Sequence, residues 1–585
     1  MSEKRIAVID KKKCDPEKCG KECQSFCPRV RSGDDETVVI KKKAEISEDL
    51  CIGCGICTKK CPKHAITIIN LAHELDDPIH QYGKNTFRLY GLPVPQKGRV
   101  AGLLGANGIG KTTALKILSA QIIPNMANFE EKSTWDAVLA RFKGTEIYNY
   151  LLELKEKKIK AIYKPQQVDM IPSMFKGKVK EILKDERKIL KKIAKDLEID
   201  HILDRKVTEI SGGDLQRVAI AATIIKEGDF YFFDEPSSYL DVRHRLMAAR
   251  AIRELAEEKA VLVVEHDLAT LDFLTDVVNI VYGHPSVYGV ISSLYPARRG
   301  INTYLSGYIR ESNVRFRDDE LNFKSHGQIF KGKTKLIEYP DLEKKYPEFA
   351  LKVDGGKFYA GEIVGVFGAN ALGKTTFMKM LAGVEKPTKG KLEEKMAIAY
   401  KPQYLKTDFK GTVQDLLATT TKKFGTQKYK LDVLRPLELE GLLENDVETL
   451  SGGELQRVSI AIALSKDADI YLLDEPSAYL DVEQRVKLSK MIRRFIETNK
   501  KTCIVIDHDM LMLNYISDRA IIVLGKSGET GHLHAPTKLA DGMNIFLKDL
   551  GITFRKDPES GRPRANKPDS QKDKEQKKKN EFYCG

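Results

Sequence analysis

Eight of the ten cysteines lie within the first 61 residues, in two runs. Cys14, Cys19, Cys23 and Cys27 read C-x4-C-x3-C-x3-C before Pro28, and Cys51, Cys54, Cys57 and Cys61 read C-x2-C-x2-C-x3-C before Pro62. Clustered thiolates of this kind are metal ligands in an intracellular protein more often than disulfide partners. Cys503 and Cys584 stand alone, and Cys503, inside the apolar run "CIVI", reads as a core residue. A second chemistry is written twice further along. "GANGIGKT" (105–112) and "GANALGKT" (368–375) are glycine-rich loops whose backbone N–H groups can cradle phosphates. Each is joined later by an acidic pair, Asp234 with Glu235 and Asp474 with Glu475.

The second cysteine run has the spacing of bacterial ferredoxins, in which three thiolates grip one [4Fe–4S] cube and the fourth reaches the neighbouring cluster. On that logic one cluster takes Cys51, Cys54, Cys57 and Cys27, and the other takes Cys14, Cys19, Cys23 and Cys61. Gly53 and Gly55 let the backbone close around the cube. Zinc competes for C-x2-C pairs, but three cysteines at two-residue gaps followed by proline favour iron–sulfur. A segment of about 75 residues has a small core, for which metal sites commonly compensate.

The phosphate loops carry their own context. Each follows an apolar strand, "VAGLL" or "IVGVF", and precedes a helical run. Gly105, Asn107, Gly108 and Gly110 in the first half correspond to Gly368, Asn370 and Gly373 in the second. Lys111 and Lys374 would reach the β and γ phosphates, Thr112 and Thr375 would ligate Mg²⁺, and Thr113 and Thr376 follow them into the helix. "YFFDEPSSYLD" (231–241) pairs with "YLLDEPSAYLD" (471–481); Asp234 or Asp474 ends an apolar strand, and Glu235 or Glu475 follows as general base. "SGGDLQR" (211–217) pairs with "SGGELQR" (451–457), a serine and two glycines at a helix start. The serine precedes the strand-ending aspartate by 23 residues in both halves, so the chain is a duplication.

Size and charge bound the rest. A chain of 585 residues calls for three or four domains. No stretch approaches the length of an uncharged membrane span, and the N-terminus lacks the apolar core of a secretory signal, so a cytoplasmic location without membrane contact is expected. A net charge of +14 suits a polyanionic partner such as RNA, an anionic surface or mere solubility, and does not choose among them.

P-loop, "SGG" signature, "DEP" strand and a downstream histidine (His266 in "VVEHD", His508 in "VIDHD") together resemble two ATP-binding-cassette (ABC) nucleotide domains, with Gln166 and Gln403 of "YKPQ" as the Gln loops and further Mg²⁺ ligands. In that family two cassettes face head to tail. The resemblance implies one ATP site from Lys111, Gln166, Asp234, Glu235 and His266 with Ser451 and Gly453, and another from Lys374, Gln403, Asp474, Glu475 and His508 with Ser211 and Gly213. It implies catalytic roles for Glu235, Glu475, His266 and His508, and an adenine-stacking aromatic ahead of each P-loop: Tyr82 or Phe87 in the first half, Phe349 in the second.

The halves differ. From the P-loop lysine to the Gln-loop glutamine is 55 residues in the first and 29 in the second, which places an insertion at 128–160. Its apolar spacing (Trp135, Val138, Leu139, Phe142, then Ile147, Leu151, Leu152) predicts a helix–loop–helix projecting from the cassette. "YPARRGINTYLSGYIRESNVRFR" (295–317) and "GITFRKDPESGRPRANK" (551–567) read as linker and solvated end, or as hinge segments at the cassette seam with Arg and Lys facing phosphates. The final "QKDKEQKKKNEFYCG" reads as solvated tail.

The combination closely resembles the E-class ABC ATPases, the ribosome-recycling RNase L inhibitor family of archaea and eukaryotes, over nearly the whole chain. Two departures, "GAN" for the commoner "GPN" and Ile210 and Asp214 around the first signature, leave the phosphate-binding groups in place. The fold expected is α/β: two P-loop ABC-type nucleotide-binding domains plus an N-terminal bacterial-ferredoxin-like α+β domain with two iron–sulfur clusters. The expected boundaries are 1–75, 76–290, a hinge at 291–325, 326–540, and 541–585 for a second hinge and basic tail. The resemblance implies ATP hydrolysis with Mg²⁺, two [4Fe–4S] clusters, and splitting of post-termination ribosomes as cassette closure moves the iron–sulfur domain. The partners it implies are the ribosome, through small-subunit rRNA and proteins, a release factor in the A site, and initiation factors afterwards. An ATP-gated iron–sulfur electron carrier is the alternative.

Overall fold

The computed structural model describes residues 4–71, 77–128, 133–323, 334–392, 397–403, 409–567 and 569–584. Near the N-terminus, strand Lys4–Ile9 pairs antiparallel with Ile66–Leu71, from Lys4↔Leu71 to Ile9↔Ile66. The hairpin Val38–Ile40/Ala44–Ile46 and short helices Glu22–Ser25, Pro28–Arg31 and Ile56–Lys60 complete the unit. Its few buried aliphatics (Ala7, Ile9, Val38, Ile46, Ile66) share the core with Cys14, Cys23, Cys51 and Cys57, so this core is partly built of ligand side chains.

Two larger sheets repeat one design. The first runs His80–Gln81, Arg88–Tyr90, Tyr288–Pro296, Val277–His284, Val100–Leu104, Ala260–Val264, Phe230–Asp234, Ala161–Lys164. The second runs Leu342–Lys345, Ala350–Val353, Thr530–Leu533, Arg519–Lys526, Ile363–Phe367, Thr502–Ile506, Ile470–Asp474, Ile398–Lys401 in the same order, and Thr537–Lys538 adds to it. The central strands are parallel and buried along their whole length, as their unbroken apolar runs require. Loops at the carboxyl ends of parallel strands are where an α/β sheet binds ligands; both phosphate loops and both acidic pairs leave their strands there.

The N-terminal unit is bolted to the first cassette. Asn85 Nδ2 donates to Ala7 O (2.8 Å) and Ile46 O (3.0 Å), its Oδ1 accepts from Ile46 N (3.0 Å), and its carbonyl accepts from Ile9 N (2.8 Å). The Arg88 guanidinium holds both oxygens of Glu48 at 2.6 and 2.7 Å, and Val8 joins Tyr90, Val287 and Val290 in an apolar patch. Its contact with the second cassette is slighter: Lys13 Nζ lies 4.0 Å from Glu454.

Three expectations are corrected. The insertion does form helices Trp135–Phe142 and Tyr148–Lys155 around Gly144, but it does not project. Val138 and Leu151 are fully buried, and Tyr150 donates to Leu118 O at the end of the P-loop helix and meets Phe230 edge-on; a half-apolar helix pair needs a partner, and the cassette core is nearest. The basic residues of 295–317 are largely committed internally: Arg298 to Asp557 (3.0 Å), Arg299 to Glu311, and Arg317 to Glu483 across the seam (2.7 Å). Nor is the end a solvated tail. Arg562 is fully buried against Asp272, Gln571–Lys579 is a helix capped by Ser570, and Asp573, Gln576 and Phe582 are buried. Composition misled because these polar groups are buried by pairing: Asp573 accepts from Thr553 (2.6 Å), and Gln576 donates to Phe554 O (3.0 Å). Among the described residues no helix is long and apolar enough to cross a membrane.

Candidate functional site

Each phosphate loop turns into its helix through a glycine in the left-handed region, Gly110 at φ 94° and Gly373 at φ 90°. A Cβ there would also strike an aromatic ring, Phe87 Cζ at 2.6 Å or Phe349 Cζ at 3.0 Å. Phe87 and Phe349 are therefore counterparts, each lying against the final turn of its loop. Tyr82 is half exposed and bonds the Thr113 hydroxyl at 3.0 Å; Tyr346, an aromatic passed over in the sequence, donates to Glu385 in the other half. Lys111 Nζ donates to Gly105 O (2.8 Å) and Ala106 O (2.6 Å), and Lys374 Nζ to Gly368 O (2.6 Å) and Ala369 O (2.8 Å). Burial lowers both lysines, Lys111 to about 8 against the pull of Glu235 and Asp481. A dense anion is the natural complement of these buried ammonium groups.

The acidic pairs are built alike. Thr375 Oγ1 donates to Asp474 Oδ2 at 2.8 Å, and the Thr112 hydroxyl beside Asp234 counteracts the effect of its burial. Tyr163 and Tyr400 approach Oδ2 of Asp234 and Asp474 at 3.1 and 3.5 Å. Burial raises both aspartates, and Asp234 Oδ1 and Asp474 Oδ1 are buried without a hydrogen-bond partner. An orphaned carboxylate oxygen beside a threonine hydroxyl and a phosphate loop fits a hydrated Mg²⁺.

Glu235 and Glu475 sit at φ 47° and 48°, strain that non-glycine residues keep when function over-determines it. Gln166 Nε2 donates to Glu235 Oε1 (2.6 Å), and Gln403 Nε2 to Glu475 Oε1 (2.8 Å). His266 Nε2 and His508 Nε2 stand 3.4 and 3.2 Å from those oxygens without a well-formed hydrogen bond. Burial alone would raise both glutamates; the adjacent histidines, P-loop lysines and glutamines outweigh it and bring each to about 2. Both are therefore ionised acceptors at neutral pH.

The cassettes meet head to tail. Asn107 N donates to Asp481 Oδ2 (2.9 Å), and Asn370 N to Asp241 Oδ2 (2.7 Å), so each phosphate loop is pinned by an aspartate of the other half. The signature serines bond within their own cassettes instead: Ser211 and Ser451 cap their own helices and donate to Asp214 (2.7 Å) and Glu454 (2.8 Å). They travel with the pinning aspartates, however, because Gly213 and Gly453 pack so closely that a Cβ would lie 3.2 and 3.1 Å from the carbonyls of Tyr239 and Tyr479. Gln216 and Gln456, from the same helices, donate to the carbonyls of Glu235 and Glu475 at 2.8 and 2.5 Å. Each cassette thus links its own acid to the surface it offers its partner.

Several of these groups went unassigned in the sequence: Asp241, Asp481, Gln216, Gln456 and the buried Lys164 and Lys401, which donate to Asp234 O (3.1 Å) and Asp474 O (2.8 Å). Their signal was present, since "YKPQ", "LQR" and "YLDV" occur identically in both halves.

In the N-terminal unit Cys57 lies within electrostatic reach of Cys51, Cys54, Cys23 and Cys27, and Cys23 within reach of Cys61, Cys14 and Cys19. Burial, then these neighbours, pushes Cys57 up to about 12 and Cys23 to about 11. Thiols that oppose each other's ionisation need a cationic centre to become thiolates together. Backbone N–H groups of Ala44, Gly53 and Ala65 already point at the sulfurs of Cys14, Cys51 and Cys61, each at 3.4 Å. This donor set fits iron–sulfur clusters.

Comparison with known proteins follows the same divisions. Residues 95–238 and 351–478 match the ABC transporter family, 5–35 a possible Fer4-like domain in RNase L inhibitor, and 44–67 a 4Fe-4S binding domain. The translation initiation factor RLI1 of Saccharomyces cerevisiae is 46% identical, over 100% of this chain and 99% of its own. Among solved structures, a model of ribosome-bound archaeal Pelota and ABCE1 matches with TM-score 0.94 and 51% identity over all of both chains. The crystal structure of archaeal ribosomal stalk protein aP1 with archaeal ribosome recycling factor aABCE1 matches with TM-score 0.84 and 51% identity, covering 88% of this chain and 100% of that one.

Proposed function

The chain belongs to the RNase L inhibitor family of ABC ATPases, and we propose on that premise that it splits ribosomes into subunits by ATP-driven closure of its two cassettes. The observation that carries this reading is the reciprocal seam, Asp481 on Asn107 and Asp241 on Asn370, with the cysteine unit fastened to one side of it. ATP on each P-loop draws Lys111 or Lys374 from loop carbonyls to phosphate and fills the space facing the other half's signature, Ser451 and Gly453 or Ser211 and Gly213. Gln166 and Gln403 steady the ionised Glu235 and Glu475, which accept a proton from the attacking water; His266 and His508 flank the same oxygens. Phe87 and Phe349 are the candidates for adenine contact, with Tyr82 beside the first. Mg²⁺, held by Thr112, Thr375, Gln166 and Gln403 and through water by Asp234 and Asp474, would neutralise charge on the transferred phosphoryl group.

The cysteine unit moves as a body with the first cassette, because Asn85 and the Arg88–Glu48 pair tie them. Two [4Fe–4S] clusters, on Cys51, Cys54, Cys57 and Cys27 and on Cys14, Cys19, Cys23 and Cys61, would stiffen a unit whose core is otherwise small. Closure then levers a rigid block against the ribosome. The proposed partners are the ribosome, chiefly its small subunit, a release factor in the A site and, afterwards, initiation factors, in the cytoplasm. ATP-gated electron transfer is the less favoured reading, because the full-length relatives are named for translation and ribosome recycling.

The test is a sucrose-gradient profile of post-termination ribosomes with release factor, cluster-loaded protein and either ATP or a non-hydrolysable analogue. Splitting into subunits, lost in Cys54→Ser, is expected. Ribosomes intact under every nucleotide would sink the reading and advance electron transfer.

A further inference from the structure

On the second cassette, strand Thr530–Leu533 lies between Ala350–Val353 and Arg519–Lys526. His532 and His534 are two residues apart and face the same side of the sheet, since successive strand residues alternate faces. Asp354 follows the neighbouring parallel strand, in the register Lys352↔His532. The backbone fixes all three: Asp354 N donates to Leu533 O, and His534 N to Ile522 O, both at 2.9 Å. His532 Nε2 lies 2.7 Å from Asp354 Oδ1, His534 Nδ1 lies 3.5 Å from Asp354 Oδ2, and one ligand atom from each residue falls within 4.8 Å of the others. The imidazole rings stand 4.2 Å apart at 42°.

We propose that Asp354, His532 and His534 form a binding site for a divalent transition metal of the zinc type. Two imidazoles converging on one carboxylate make a poor arrangement of ion pairs, since only His532 makes a close contact and a second protonated ring would face the first and nearby Lys352. As metal ligands the same groups need no protons. Tetrahedral zinc with bonds near 2.0 Å sets its ligand atoms about 3.3 Å apart, so the 2.7 Å contact of His532 Nε2 with Asp354 Oδ1 opens by about half an ångström while His534, whose ligand atom lies within 4.8 Å of the other two, closes on the same ion. Imidazole nitrogen excludes Mg²⁺ and Ca²⁺, which select oxygen. The three side chains are each about a third exposed, leaving room for water at the remaining position.

The site sits on strands that support a phosphate loop. On the opposite face, Leu351 packs against Gly373, and Gly531 lies so close beneath Leu372 that a Cβ would stand 2.1 Å from its carbonyl oxygen. A metal joining Asp354 to His532 and His534 would staple these two strands behind the second P-loop.

The test uses the full, cluster-loaded chain, so that the clustered cysteines are occupied by iron. Equilibrium dialysis against Zn²⁺, with zinc and iron counted by elemental mass spectrometry, should show a single zinc fewer in H532A/H534A than in the parent at equal iron content. Asp354→Asn should weaken that zinc about tenfold or more. Zinc should also raise the melting temperature of the parent and leave that of H532A/H534A unchanged. Equal zinc in all three proteins would overturn the proposal. Should the double variant fail to fold, anomalous diffraction at the zinc edge on parent crystals decides: a peak between the three side chains upholds the site, and none refutes it.

Discussion

Asp481 does two jobs with two oxygens. Oδ1 accepts from Gln484 N and caps helix Val482–Asn499, while Oδ2 accepts from Asn107 N across the seam, both at 2.9 Å. Asp481→Asn separates them. Asparagine caps a helix about as well as aspartate, so the fold should change by no more than a few tenths of a kcal/mol. Across the seam, however, the amide presents Nδ2–H to Asn107 N–H, donor against donor. A hydrogen bond to a charged acceptor contributes about 1.5–3 kcal/mol, and its loss should shift the closed-to-open ratio roughly 10- to 150-fold, 1.4 kcal/mol being a factor of ten. Fluorescence transfer between dyes on the two cassettes, titrated with a non-hydrolysable ATP analogue, reads the shift as a higher half-closure concentration. Asp481→Ala should lose the cap as well, a further ~1 kcal/mol in urea unfolding. Half-closure in Asp481→Asn within twofold of the parent would refute the reasoning, because it would mean that the contact holds nothing shut.

Asp272, fully buried between Arg562 and Arg564, is expected on replacement by Ala to destabilise the first cassette by about 3–5 kcal/mol in urea, since the fully buried Arg562 guanidinium loses its counter-charge along with the partly exposed Arg564; a loss under 1 kcal/mol would contradict that. Asn85→Ala, which orphans Ala7 O and both backbone groups of Ile46, should loosen the cysteine unit by roughly 2–5 kcal/mol, seen as faster hydrogen exchange at Ile46 with cassette amides unchanged. Glu235, brought down to about 2 from an ordinary 4.5, contributes stability that is fully present above pH 4.5 and lost as pH falls toward 2. The stability gap between parent and Glu235→Gln should therefore grow by about 3 kcal/mol from pH 2 to 4.5 and stay flat above it. Growth confined to pH 5–7 would place the titration elsewhere.

The sequence alone determined whatever depends on contiguous residues. A glycine loop after an apolar strand makes a phosphate cradle because its N–H groups and glycine φ angles are local, and an acidic pair ends a strand wherever the apolar run stops. The cysteine spacing and the duplication belong to the same class, and so do the central strands of the two sheets, which are unbroken apolar runs. Tertiary structure decided what depends on partners far along the chain. Asp481 and Asn107 are 374 residues apart, Asp241 and Asn370 129, and Arg562 and Asp272 290; no local periodicity encodes such pairs. For the same reason the C-terminal segment was misread. Its polar composition signals solvent only if its side chains find no buried partners, and Asp573, Gln576 and Arg562 find them. Apolar burial leaves a periodic pattern in sequence, whereas polar burial depends on one matching group elsewhere, which only the folded chain brings near.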